Sequence, residues 1–352
     1  MADVPAPAED CGTRAPEFEK ATRIELVRLT ILFDIELDSR SNWSVDCAPR
    51  RDHEQSSIIR RRPYTEIQMT RTVGVVGAGL MGAEIALCFA LVGDDVILND
   101  CSQDRLDLAM ARLGDLLRKG VTRNFYAEDQ IEPALRRIRP AVGLETFAEC
   151  DLVTEAVFEA LEVKAKTWSD LDAICKADCI FASNTSTIPI STIAVEVSPM
   201  RRKLFIGTHY FSPVSRMRLV EVIPGFETSE TTIAATIQLM NEIGKAPILV
   251  KDVAGFAVNR MLHAFIIEAV KLVEEGVATP EDLDTACRLG LGHPIGPFAL
   301  MDAVTSSLCL QAQEIMHEAY GERFRPPALL KQRVSAGYVG GKGRPGWSRE
   351  IR

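Results

Sequence analysis

Between residues 77 and 82 the chain reads Gly77-Ala-Gly-Leu-Met-Gly82, a GxGxxG that follows the apolar run Val73 to Val76 and opens a helix-forming stretch, Ala83 to Leu91. The chemistry this spacing serves is the capture of a pyrophosphate. Gly77 permits a tight turn, Gly79 lets a phosphate approach the backbone, and Gly82 allows the helix to pack on the strand. Leu80 and Met81 then stand in the first helical turn, where free amides and the helix dipole face an anion. Asp100 lies 18 residues past Gly82 at the end of the next strand-like run, where a carboxylate accepts hydrogen bonds from ribose hydroxyls. A 2′-phosphate would be repelled there, and Cys101-Ser102-Gln103 offers no cation to receive it, so the expected cofactor is NAD rather than NADP. Metal chemistry has no comparable signature, and the expectation is no metal site. The nine cysteines are scattered without CxxC pairs; Cys175 and Cys179 fall one turn apart in an expected helix, with no His at ligand spacing, which reads as reduced thiols.

A frame of alternating strands and helices is needed to present these residues. With 352 residues, 47% hydrophobic, 25% charged and a mean hydropathy of +0.04, the chain has the make-up of a globular protein of two domains. Its formal net charge of −9 argues against bulk electrostatic capture of nucleic acid. Apolar stretches such as Ile85 to Val92 are too short to cross a bilayer, so no membrane association and a cytoplasmic location are expected. Residues 1–68 carry 13 acidic and 10 basic residues and are expected to form a poorly ordered extension, with Met69 a candidate natural start. From Thr72 the order is strand (Val73 to Val76), glycine turn, helix, strand (Val96 to Leu98). Buried-strand runs follow at Asp151 to Val157 and Cys179 to Ser183, with helical material at Leu161 to Ile174 between them. Further strands are expected at Leu204 to Tyr210, Leu219 to Ile223 and Pro247 to Lys251. Beyond Gly255 the spacing turns helical: Phe256 to Glu275 is one expected helix, and Thr279-Pro280-Glu281-Asp282 reads as a cap, a first-turn proline and an acid at N3. The fold class expected is α/β, a Rossmann-type doubly wound parallel sheet over 69–253 followed by an all-α C-terminal domain over 254–352.

Five stretches in this order resemble the L-3-hydroxyacyl-CoA dehydrogenase family. They are Val75-Val-Gly-Ala-Gly-Leu-Met-Gly82, Ala182-Ser-Asn-Thr-Ser-Thr187, His209-Tyr-Phe-Ser-Pro-Val214 with Leu219-Val-Glu221, Gly255-Phe-Ala-Val-Asn-Arg260, and Gly292-His-Pro-Ile-Gly-Pro-Phe298. The resemblance covers residues 72 to about 346. It implies oxidation of an L-3-hydroxyacyl-CoA to the 3-ketoacyl-CoA with NAD, a reaction of fatty-acid metabolism including β-oxidation, and a homodimer formed through the helical domain. The residues suit the work. His209 follows a strand-like run at the carboxyl edge, where α/β sheets bind ligands, and imidazole titrates near neutrality as a reversible base should. Glu221 ends another such run and can hold the second ring nitrogen while stabilising the imidazolium.

By the same match Ser186 and Asn259 are the polar groups around the substrate oxygen. The Ser183–Thr187 cluster also reads as a helix cap ahead of Ile190 to Val195, and both readings can hold. Asn259, within a mainly apolar helix, needs a partner or a ligand. Ala156, Glu159 and Lys164 fall where the family lines the nicotinamide half of the cofactor; the alternative is the exposed start of a helix. Arg118, Lys119 and Arg123 fall in the segment that approaches the CoA phosphates, the alternative being a solvated helix face. The chain departs from the family at Leu116, Ser212, the Thr305-Ser306-Ser307 element, where Ser307 is the expected cap, and the terminus after Arg344. That terminus lacks the closing aromatic-x-Tyr that would pack on the helices. Two other functions stay open on sequence: a related NAD-dependent dehydrogenase of a sugar acid, like the lens crystallin relative, and a non-catalytic NAD-binding protein.

Overall fold

The structure is a computed structural model and describes residues 70–347; the extension over 1–68 and the candidate start at Met69 lie outside the described residues. Valine- and isoleucine-rich strands build an eight-stranded sheet: β1 (Thr72–Val76), β2 (Asp95–Asn99), β3 (Ile138–Ala141), β4 (Leu152–Glu155), β5 (Ile180–Ser183), β6 (Phe205–Tyr210), β7 (Leu219–Pro224) and β8 (Ala246–Leu249), in the order β3-β2-β1-β4-β5-β6-β7-β8. The helices between them are α1 (Leu80–Leu91), α2 (Gln103–Val121), α3 (Ile131–Arg137), α4 (Leu161–Ile174), α5 (Ile190–Ala194) and α6 (Glu230–Glu242). Strand residues alternate between two cores. Val73, Val75, Leu152, Ala182 and Ile206 join one, while Val76, Val153, Phe181 and Phe205 join the other, where Trp168 packs within 5 Å of both phenylalanine rings. Burial on both faces is why these strands read as unbroken apolar runs rather than as an alternation.

The doubly wound sheet departs from all-parallel at one place. β6 and β7 run antiparallel, because only residues 211–218 join them, too few for a crossover helix. β3 was not legible in the sequence: its Ile-Arg-Pro-Ala lies at the sheet edge with the middle two residues exposed, so no apolar pattern marks it. Cys175 and Cys179 do not share a helix. Cys175 follows the end of α4 and Cys179 precedes β5, and Arg201 donates to the carbonyls of Cys175, Lys176 and Cys179 to close that turn.

Beyond β8 the described residues are helical: α7 (Val258–Glu274), α8 (Pro280–Gly290), α9 (Pro297–Val304), α10 (Ser306–Tyr320) and α11 (Ala328–Ser335). Their own core includes Ile266, Val270, Phe298, Met301, Leu330 and Trp347. Thr279 caps α8 as its sequence demands, accepting from Asp282 N at 3.2 Å. At α10 the cap is Thr305, with φ +85°, and not Ser307. The C-terminal segment is packed despite lacking the expected aromatic-x-Tyr. Trp347 is 3% exposed, its Nε1 donates to Ser306 Oγ (3.0 Å) and its amide to Asp302 Oδ1 (2.8 Å).

Candidate active site

The carboxyl edge of the sheet holds the glycine loop. Gly77 takes φ +98°, and a Cβ there would lie 2.6 Å from Ala156 O; one on Gly82 would lie 1.9 Å from Gly77 O. Both positions admit only glycine, and Ala156 is thereby set against the loop. A Cβ on Gly79 would meet nothing within 4 Å, so that position borders open space rather than packing. No side chain caps the start of α1, which leaves its first amides, at Leu80 and Met81, for an anion. Asp100 follows β2, with Oδ2 accepting from Ala78 N at 2.9 Å and Oδ1 from Cys101 N at 2.8 Å. An open glycine cradle, an uncapped helix start and a carboxylate one strand away fit the two phosphates and the adenosine ribose of NAD. A cation lies nearer Asp100 than the next three residues suggested: Arg105 Nη1 is 3.4 Å from Oδ1.

The antiparallel register of β6 and β7 sets His209 directly opposite Glu221, which puts both side chains on one face. His209 Nδ1 lies 2.8 Å from Glu221 Oε2, and Nε2 lies 3.0 Å from Ser186 Oγ in the loop that follows β5. His209 is buried, with Phe211 and Phe256 rings at 4.6 and 5.6 Å from its own. Glu221 is fully buried. Its other oxygen, Oε1, accepts the amides of Ala257 and Val258 at 3.0 Å each, so the carboxylate also caps the first turn of α7. Gly255 (φ +72°) and Phe256 (φ +45°) supply the left-handed turn that aims those amides at it. Burial pushes the Glu221 carboxyl upward. The hydrogen bond from His209 and the two amides outweigh burial and hold it below the usual glutamate value, ionised beside the imidazole. With Nδ1–H donated to Glu221, the acceptor lone pair of the ring sits on Nε2.

A second line of charges meets the first at the Ser183–Thr187 loop. Glu155, at the end of β4, accepts from Lys164 Nζ and Ser183 Oγ, both at 2.7 Å. Glu159 accepts from Thr185 Oγ1 (2.6 Å), the amides of Ser186 and Thr187 (2.8 Å each) and Thr187 Oγ1 (2.9 Å), while Lys164 Nζ lies 3.2 Å from its other oxygen. Burial pushes the Glu159 carboxyl upward, and Lys164 with these donors brings it below its ordinary value. Glu159 therefore fastens the loop that carries Ser186. Lys164 is 1% exposed with its ammonium committed to the two carboxylates, unlike the solvated helix start its sequence position also allowed. The Ser/Thr cluster does not cap α5. Asp252 does, through the amides of Ile190 (2.7 Å) and Ser191 (2.8 Å). Asn184 accepts from Tyr210 N at 2.9 Å and ties β5 to the strand of His209. Asn259 is the second residue of α7, half-buried at its start rather than enclosed within an apolar helix.

Beside the glycine loop α2 borders a groove of about 700 Å³, whose charged lining comprises Arg112, Asp115, Lys119, Arg123 and Arg216. Of the three cations expected at the CoA phosphates, Lys119 and Arg123 line it; Arg118 is exposed and turned to Asp115 (2.6 Å). Arg112 and Arg216 were not picked out by sequence, since a lone arginine on a helix or loop carries no pattern. Arg216 stacks on Phe125, its guanidinium carbon 3.5 Å from the ring centre. Glu155, Asp252 and Phe256 were missed likewise; of these only Glu155, a charge inside a strand-like apolar run, left a readable signal. Among the described residues no cluster of three or more His, Cys, Asp or Glu could hold a metal ion.

Residues 72–253 match the NAD-binding domain of 3-hydroxyacyl-CoA dehydrogenase and residues 255–350 its C-terminal domain. The chain is 40% identical over 278 residues to the 3-hydroxybutyryl-CoA dehydrogenase of Bradyrhizobium diazoefficiens, covering 79% of this chain and 94% of that one. It is 39% identical over 279 residues to a probable 3-hydroxybutyryl-CoA dehydrogenase of Deinococcus radiodurans, covering 78% and 98%. The fold matches the crystal structure of (S)-3-hydroxybutyryl-CoA dehydrogenase from Ralstonia eutropha with a TM-score of 0.76 at 38% identity, over 80% of this chain and 100% of that one. With the His209–Glu221 pair beside a dinucleotide cradle and both family domains matched along the described chain, the protein belongs to the 3-hydroxyacyl-CoA dehydrogenase family.

Proposed function

We propose that this NAD-dependent 3-hydroxyacyl-CoA dehydrogenase works through the Ser186–His209–Glu221 line, and that its substrate is a short L-3-hydroxyacyl-CoA such as 3-hydroxybutyryl-CoA. The observation that carries the reading is His209 Nε2, 3.0 Å from Ser186 Oγ, with Nδ1 held at 2.8 Å by an ionised, buried carboxylate. NAD, when bound, supplies the hydride acceptor at the substrate's C3. His209 Nε2 takes the 3-hydroxyl proton on oxidation and returns it on reduction; Glu221 fixes the ring and stabilises its cation. Ser186 Oγ and the Asn259 amide direct hydrogen bonds at the same oxygen and polarise it as it becomes a carbonyl. Gly77, Gly79, Leu80, Met81 and Gly82 receive the pyrophosphate, Asp100 the ribose, and Ala156, Glu159 and Lys164 border the nicotinamide half. Lys119 and Arg123, with Arg118 behind them, hold the CoA phosphates.

The domains assigned are 69–253 for the cofactor and 254–352 for the helical part, and the substrate reacts where Glu221 meets the start of α7. Exposed apolar side chains of the helical part, Met261, Leu289, Leu291 and Leu308, support a homodimer through it. No described helix is long and apolar enough to cross a membrane, which is compatible with work in the cytoplasm. The test is the loss of NADH absorbance with acetoacetyl-CoA, run beside NADPH and beside His209→Gln. Rapid oxidation of NADH that vanishes in the variant is the expected result. Binding of NADH without any turnover of acyl-CoA would overturn the assignment.

A further inference from the structure

Arg112 belongs to two places at once. It projects from the middle of α2 to the glycine loop, where Nη2 donates to Gly79 O (2.8 Å) and Ala78 O (3.3 Å), and the same side chain lines the groove with Lys119, Arg123 and Arg216. Its Nε is buried and has no acceptor. A buried donor without a partner is costly, and a guanidinium presents five donors in one rigid plane, so a small turn of the side chain toward an anion in the groove would give Nε the acceptor it lacks. The opposite wall is fastened to the same unit by one bond, Ser215 N donating to Glu84 Oε2 of α1 at 2.8 Å, and its segment is held from behind by Lys245 Nζ, which donates to Met217 O at 3.0 Å and to Val214 O. Both sides of the groove are thus tied to the loop and helix that receive the cofactor's pyrophosphate.

We infer that Arg112 is a positioning residue that couples the two ligands: a phosphate of the acyl-CoA in the groove accepts from Arg112 Nε, locks the guanidinium on the Ala78 and Gly79 carbonyls, and so fixes the loop in the form that binds NAD. Binding of either ligand then tightens the other by the same factor, as linkage requires. The inference rests on the groove being the site of the CoA phosphates.

Free coenzyme A is the probe, and the measurement is the Kd of NADH with and without saturating coenzyme A. Wild-type protein is expected to bind NADH at least fivefold more tightly with coenzyme A present. Arg112→Gln loses that gain, whereas Arg136→Gln, on α3 away from the groove and paired with Glu132 at 2.9 Å, keeps it. Pantetheine, which has no phosphate, produces no gain in any of the three. A gain of equal size in Arg112→Gln, or none in wild type, overturns the coupling. Should Arg112→Gln not fold, Arg112→Lys, which keeps a point charge and loses the fork, is expected to lose most of the gain, and full retention counts against the inference. Failure of the groove assignment looks different: the Kd of coenzyme A itself would be unchanged in Lys119→Gln and Arg123→Gln.

Discussion

At the carboxyl edge of the sheet, Glu155, Lys164, His209 and Glu221 are buried, and each has its charged or ring atoms bonded to a named partner. In the helices beyond β8 the buried histidine fares differently: His263 Nδ1 has no partner, nor do the amide atoms of Gln313, whereas in the sheet half the unpartnered buried atoms, among them the Thr154 and Thr208 hydroxyls, lie outside these four groups. The sheet edge is a prearranged field whose partners are already in place, so the proposed proton transfer to His209 would demand little reorganisation. The helical core tolerates unpaired polar atoms because they stay neutral; burial alone pushes the His263 imidazole down to about 4. Buried polarity marks the proposed reaction centre here where Glu221 and His209 Nδ1 are fully committed and His209 Nε2 meets only the Ser186 hydroxyl, at 3.0 Å.

Breaking the engaged side should cost the most. His209→Gln is expected to lower kcat by roughly 10³-fold while NADH still binds, since the amide cannot cycle a proton. Equal loss of NADH affinity would make His209 a structural prop for the cradle instead. Glu221→Gln keeps the size and one acceptor oxygen for the α7 amides but removes the charge that stabilises the imidazolium. A fall in kcat of about 10²-fold is expected, with about 1–2 kcal/mol of stability lost from the weakened cap and buried hydrogen bonds. Steady-state kinetics and urea melts separate the two effects, and a stability loss without the kinetic one would reduce Glu221 to a helix cap.

The unengaged side should respond to pH rather than to substrate. His263 has a folded value near 4 against 6.5 for the free group. The unfolded chain therefore binds the extra proton between those values, so stability rises with pH from 4 to 6.5 and is flat above. The contribution lost at the acid end is on the order of 3 kcal/mol. His263→Leu should remove that part of the slope, and parallel urea midpoints for both proteins from pH 4.5 to 7 would refute it. Glu221 and Glu159 have lowered values, so their contribution is present above about 4.5 and is lost as the solution falls below it.

What could be read from the sequence follows the same division. The glycine loop, Asp100 and the strand runs of the sheet core were legible because each depends on residues close in the chain, as were the helical spacing after Gly255 and the Thr279 cap. The His209–Glu221 contact was legible as a pair of candidates, but not as a cross-strand register: the short 211–218 connection allows only an antiparallel pair, and which residues then stand opposite one another depends on where the turn closes. Glu159, Asp252 and Arg112 act across 26 to 62 residues of chain, on a loop, a helix start and a glycine turn respectively. No spacing rule reaches that far. Trp347 shows the same limit: the missing aromatic-x-Tyr was visible, whereas its replacement by one tryptophan on Asp302 and Ser306 was not.

The smallest expected effect sharpens the cofactor end of the sheet. Asp100 holds Ala78 N and Cys101 N, and Arg105 Nη1 approaches to 3.4 Å, because one turn of α2 carries residue 105 back over the strand end. Arg105 is 56% exposed, so its attraction to Asp100 is screened and worth under about 1 kcal/mol. On the proposed reading the Asp100 carboxylate decides the preference for NADH in the wild type. Asp100→Ala removes the ribose acceptor and leaves Arg105 free to meet a 2′-phosphate, so NADH affinity should fall about tenfold while NADPH gains. Arg105→Ala added to that variant should withdraw the gain for NADPH and leave NADH where Asp100→Ala put it. If the double variant still takes NADPH as well as Asp100→Ala alone, repulsion by Asp100 was the only discriminator and Arg105 has no part in the choice.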